Sequence, residues 1–142
     1  MTRILRRSFG RRLESLPAMV DFAAAALAGY EIDSAQRMAI DFAIEELFTN
    51  MLKYSGSGVS PVEIAFECGD ETVQVSLTDT DVEPFDVTAA PDADVTLPLQ
   101  QRQPGGLGLH LTRRLVDDLS YEYLAASRES RIRFRVACRR RT

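Results

Sequence analysis

Apolar and polar residues alternate with period two in Val62-Glu63-Ile64-Ala65-Phe66-Glu67-Cys68 and again in Thr72-Val73-Gln74-Val75-Ser76-Leu77. That period marks strands with one face buried. Gly69-Asp70-Glu71 between them is short enough to fold the two into an antiparallel hairpin. A last hairpin is predicted over Ser120 to Leu124 and Arg131 to Val136, and a weaker alternation from Ile4 to Arg11 predicts a first strand. Helical spacing runs from Pro17 to Ala28, where Gly29 ends it, and from about Ala35 to Tyr54, where Asp33-Ser34 caps the start and Ser55-Gly56-Ser57-Gly58 breaks the end. A third helix is predicted over Leu107 to Leu119. Between the hairpin and that helix, Asp86 to Pro104 holds Pro91, Pro98 and Pro104 and keeps no period, which reads as a mobile lid. Helices laid on one face of a mixed, mostly antiparallel sheet make a two-layer α/β sandwich, here expected as one domain over residues 1–142.

The long helix is mostly apolar, yet Glu46 and Asn50 lie one turn apart on the same face, flanked by Glu45, Thr49 and Lys53. Packing does not require such an edge. A carboxamide oxygen is a hard ligand suited to Mg²⁺, a carboxylate can accept a proton, and an ammonium one turn further on can meet a phosphate. A solvated stripe on a surface helix is the plain alternative. Pro104-Gly105-Gly106-Leu107-Gly108-Leu109 then runs a glycine cluster into an apolar helix. Glycines allow close backbone approach, and a helix N-terminus attracts an anion. The cluster lacks the Gly-Lys-Ser/Thr ending of a P-loop and does not follow a strand directly, as a dinucleotide fingerprint would. The strand through Leu77 meanwhile ends in the acids Asp79, Asp81, Glu83 and Asp86.

In this order along the chain, a Glu-x-x-x-Asn helix, a strand ending in Asp, a long polar loop and a Gly-Gly-Leu-Gly entry to a helix resemble the GHKL, or Bergerat-type, nucleotide-binding fold. Within it the chain is most similar to the stand-alone serine kinases that act as anti-sigma factors in bacterial partner switching, the RsbW/SpoIIAB type. The resemblance spans roughly residues 14 to 138 and implies a role for each matching position. Glu46 matches the general base, Asn50 the holder of Mg²⁺, and Asp79 the acceptor of the adenine amino group. Gly105, Gly106, Leu107 and Gly108 match the glycine box at the triphosphate. Lys53 is the candidate phosphate contact beside them, with Arg102 in the lid as a second. The cofactors implied are ATP and Mg²⁺, and the partners are an anti-anti-sigma (STAS-type) substrate, a sigma factor and a second copy of the chain. Two positions depart from the pattern: Asp81 stands where the family has Gly, placing a side chain and a charge where the backbone passes the base, and Tyr54 stands where the serine kinases carry His. A non-catalytic nucleotide- or protein-binding module and a detached histidine-kinase catalytic domain therefore remain open beside the kinase.

Composition narrows this further. A chain of 142 residues with 45% hydrophobic content is long enough to bury its own core. No stretch reaches membrane-span length and the basic start does not read as a signal peptide, so the expected location is the cytoplasm. Cys68 and Cys138 sit in apolar strand patterns without metal spacing and are expected buried and reduced, and His110, the single histidine, is expected at a surface or packing position. The net charge of −4 hides a segregation: no Lys or Arg falls between Tyr54 and Gln101, while Arg3, Arg6, Arg7, Arg11 and Arg12 gather at one end and Arg139, Arg140 and Arg141 at the other. These ends are either frayed and solubilising or a patch for an acidic protein. Nucleic acid is disfavoured, because the balance is acidic and no aromatic residues interleave with the arginines.

Overall fold

The long central helix organises the molecule because its apolar residues repeat every three or four positions. Ile40, Ala43, Ile44, Leu47, Phe48 and Met51 form one continuous buried stripe on α2 (Ser34–Tyr54). In a computed structural model, the described residues are 2–54, 59–84, 86 and 106–141. The stripe meets the buried side of a five-stranded sheet built from β1 (Arg3–Phe9), β3 (Val62–Cys68), β4 (Thr72–Asp79), β5 (Asp117–Leu124) and β6 (Glu129–Ala137). The strand order is β1-β3-β4-β6-β5 and every pairing is antiparallel. Val62, Ile64 and Phe66 face the helices with Val73, Val75 and Leu77, then Ile132 and Phe134. The alternate residues Arg6, Glu63, Glu67, Gln74, Arg131 and Arg133 line a shallow polar hollow on the opposite side. This is the two-layer α/β sandwich that the periodicities predict.

A 3-10 turn (Leu13–Ser15) leads into α1 (Leu16–Ala26), whose Phe22 packs between Phe9 and Phe66 at ring centroid distances of 5.8 and 5.5 Å. Two short strands, β2 (Tyr30–Glu31) and β7 (Arg139–Arg140), pair outside the main sheet and were not visible in the periodicity. They change the standing of the C-terminal arginines. The Arg140 guanidinium donates to the Cys68 carbonyl at 2.7 Å and meets Asp70 at 3.1 Å, so this end of the chain is folded onto the body instead of fraying. Cys68 and Cys138 are free and buried as expected, and burial raises both thiol pKa values.

The last helix corrects one expectation. α3 runs from Gly106 to Leu115, and Asp117 already opens β5, so residues 116–119 are not helical. The Val116 amide closes the final turn on the Thr112 carbonyl, Asp118 takes φ 53°, and the register to β6 shifts between Asp117 and Ser120. A bulge thus carries Leu119 back against the core, and its apolar character belongs to the strand. The proposed lid, residues 86–104, lies outside the described residues except for Asp86.

A reciprocal pair of hydrogen bonds fixes the start of α2. The Gln36 amide donates to Asp33 Oδ1 at 2.7 Å, and the Asp33 amide donates to Gln36 Oε1 at 3.0 Å, a capping box that satisfies two otherwise orphaned donors. Asp33→Ala should lower the unfolding free energy by about 1 kcal/mol, while Asp33→Ser keeps most of it. Urea denaturation at constant m-value measures the difference, and an unchanged midpoint for the alanine variant would show the cap to be idle.

Candidate functional site

Glu46 and Asn50 project from the rim of the α2 stripe, where the helix turns from the sheet toward α3. Asn50 Nδ2 donates to Glu46 Oε1 at 3.4 Å, and Asn50 is only 4% exposed. With its nitrogen turned to Glu46, the carboxamide oxygen is the atom left to hold a hard cation. The Glu46 carboxyl lies against the bare α-carbon of Gly108. A Cβ at that position would fall 2.2 Å from the Glu46 carboxyl carbon, so any larger residue would oblige the Glu46 side chain to swing out of its present position. Residues 62 positions apart in sequence are thereby brought together. Burial raises the Glu46 pKa, opposed by the Asn50 hydrogen bond and the Lys53 charge and reinforced by Glu45. A carboxylate shifted upward is the better proton acceptor.

Asp79 ends β4 fully buried, and its partner is one the sequence did not indicate. Arg11, 9% exposed at the side chain, forms an ion pair through Nη1 with Asp79 Oδ1. Its Nη2 lies 3.4 Å from the Met51 carbonyl on α2, next in the chain to Asn50. Arg11 therefore ties the strand that carries Asp79 to the helix that carries Glu46 and Asn50. No spacing rule links positions 68 apart, so it read only as one member of a terminal basic cluster.

Asp81 takes the left-handed backbone that glycine adopts most readily, with φ 57°. Its carboxylate turns outward to Arg128 Nη1 at 2.8 Å, while Arg128 Nη2 meets Glu83 at 2.9 Å. Arg128 itself has φ 54° and accepts the Val82 amide at 3.1 Å, and the Tyr123 hydroxyl donates to the Val82 carbonyl at 2.8 Å. The chain therefore follows a glycine path at Asp81 with the added charge neutralised and directed to solvent.

The remaining expectations divide. Lys53 is exposed on the last turn of α2. Gly106 and Leu107 begin α3, whereas Gly105 and Arg102 lie outside the described residues. His110 is half-buried on α3. Among the described residues no helix is long and apolar enough to cross a membrane. The structure brings the Glu46–Asn50 pair onto Gly108, while Asp79 at the end of β4 is buried and engaged by Arg11. A family model described as the histidine kinase-like ATPase domain matches residues 9–136. No curated protein matches the chain.

Two outcomes test this geometry. A carboxyl whose pKa is raised on folding adds stability when protonated, and that contribution is lost as pH rises through the raised folded value. Glu46→Gln should therefore gain stability relative to wild type as pH rises from the ordinary carboxylate range through the raised folded value, and a constant gap in melting temperature would show that folding leaves Glu46 unperturbed. At the other position, Asp81→Val should cost about 1–2 kcal/mol because a β-branched residue resists positive φ, whereas Asp81→Gly should cost little. Equal losses in chemical denaturation would contradict the left-handed assignment.

Proposed function

The chain belongs to the histidine kinase-like ATPase domain family, and within that ATP-binding family we propose that it is an ATP-dependent protein serine/threonine kinase that also acts as an anti-sigma factor. The observation that carries this reading is the Glu46 carboxyl, raised in pKa, hydrogen-bonded by Asn50 and lying on Gly108 at the start of α3. In this reading, Glu46 is the proton acceptor beside the helix N-terminus that would bind phosphate.

Each residue has a separate task. Asn50 would hold Mg²⁺ through its carboxamide oxygen, and the backbone N–H groups of the α3 entry would hold phosphate oxygens. Lys53 adds positive charge at the same end, and Asp79 accepts the adenine amino group. Glu46 takes the proton from an incoming Ser or Thr hydroxyl. When bound, ATP supplies the γ-phosphoryl group, whose bond to the β-phosphate oxygen breaks as the bond to the hydroxyl oxygen forms. The resemblance of the motifs suggests that the hydroxyl belongs to an anti-anti-sigma (STAS-type) protein, that a sigma factor competes for the same kinase, and that the kinase acts as a dimer.

A second reading, a binding module without transfer, is favoured by the Arg11 pairing of Asp79, which places a protein donor at the base-reading carboxylate. Incubation with γ-labelled ATP, Mg²⁺ and candidate STAS domains separates the readings. Label on Ser or Thr supports the kinase, label on His points to a detached histidine-kinase domain, and nucleotide binding without transfer leaves the module. Glu46→Gln should keep nucleotide affinity while transfer falls by about two to four orders of magnitude. Loss of both in parallel would make Glu46 structural. Asn50→Ala should remove the Mg²⁺-dependent part of the affinity in calorimetric titration.

A further inference from the structure

Arg11 and Asp79 form an ion pair with almost no access to water, at side-chain exposures of 9% and 0%. Removing two charges from solvent costs free energy that their mutual attraction barely recovers, so a pair of this kind is poorly explained by stability. Its placement explains it better. Asp79 is the carboxylate that the nucleotide reading assigns to the exocyclic amine of the base. A guanidinium N–H offers it the same kind of donor, with a full positive charge added. The second arm of the fork reaches the Met51 carbonyl at 3.4 Å, so the guanidinium spans the gap between the base-reading strand and the wall of α2.

We propose that Arg11 is an affinity-setting residue of the nucleotide site: it holds the place of the purine amine at Asp79, and a nucleotide binds by exchanging its own donor for the guanidinium. This rests on the nucleotide reading of the site and goes beyond it. The local chain suits such an exchange. Arg11 lies between the end of β1 and the 3-10 turn, where the Arg12 amide bonds to the Gly10 carbonyl at 2.9 Å and Ser15 Oγ to the same carbonyl at 2.7 Å. The turn is anchored by its neighbours while the Arg11 side chain is held mainly by Asp79. Exchange keeps a donor on Asp79 Oδ1 in both states, so the buried carboxylate never loses the hydrogen bond that Arg11 supplies.

The test uses the full chain, ADP and ATP. In the wild-type protein with ¹⁵N-labelled arginine, the Arg11 guanidinium protons should exchange slowly with water and lose that protection when ADP is added, Arg11→Lys assigning the signal. By calorimetry, Arg11→Ala and Arg11→Gln should bind ADP and ATP at least about tenfold more tightly than wild type. Inosine triphosphate, which has no amine to replace the guanidinium, should gain less. If Arg11→Ala does not fold, the wild-type guanidinium signals still decide. Wild-type binding with those signals unchanged, or variants that bind no tighter, would overturn the exchange and leave the nucleotide site intact. Absence of binding by wild type and variants alike would overturn both.

Discussion

Everything chemical in this molecule depends on the apolar stripe of α2 pressing into the sheet. Ile40, Ala43, Ile44, Leu47, Phe48 and Met51 leave the helix no rotational freedom, because turning it by one residue would lift Phe48 from the core. Truncating a buried phenylalanine costs about 3–5 kcal/mol, a large share of the stability of a small domain. That locked orientation directs Glu46 and Asn50 to the same rim, and Gly108 lets α3 approach the rim without displacing the Glu46 carboxylate. The polar pair is thus positioned by hydrophobic packing on the far side of its own helix. Its Asn50–Glu46 hydrogen bond of 3.4 Å is long and contributes little to that positioning.

Much of the architecture is legible in the sequence because it rests on local periodicity. The Val62 to Leu77 hairpin and the α2 stripe each bury one face at a repeat that the residues display openly. The box Glu46–Asn50 was legible for the same reason, since residues four apart on a helix must share a side. What escaped detection has no period. β2 and β7 are two residues each and pair across more than a hundred positions, and the end of α3 was hidden because Leu119 continues an apolar repeat that a bulge turns into a strand. Arg11 escaped because an ion pair between distant residues leaves no trace in either neighbourhood. Conversely, Asp81 looked like an obstacle in sequence and is accommodated in structure, since Asp tolerates left-handed backbone better than most residues.

The segregation of charge acquires a different meaning once the chain is folded. Arginines from the two ends do not form one solvated cluster: Arg11 enters the site, Arg140 is bound to Cys68 and Asp70, and Arg6 faces the polar side of the sheet. Arg3 and Arg7 remain on β1, which lies at the edge of the main sheet, where charged side chains discourage pairing with another chain's strand. The same composition therefore serves a site, a terminal clasp and an exposed edge.

The facing left-handed residues Asp81 and Arg128 bear on how this protein can diverge. Each carries a backbone twist that glycine would adopt without strain, and each is matched to the other by charge. Replacing Asp81 alone by glycine relaxes one loop but leaves Arg128 twisted with Glu83 as its remaining acid. Replacing Arg128 alone leaves Asp81 and Glu83 repelling each other beside the strand that carries Asp79. The two positions should therefore drift together across related sequences, as an Asp–Arg pair or as a glycine facing an unconstrained turn, with the mixed combinations underrepresented.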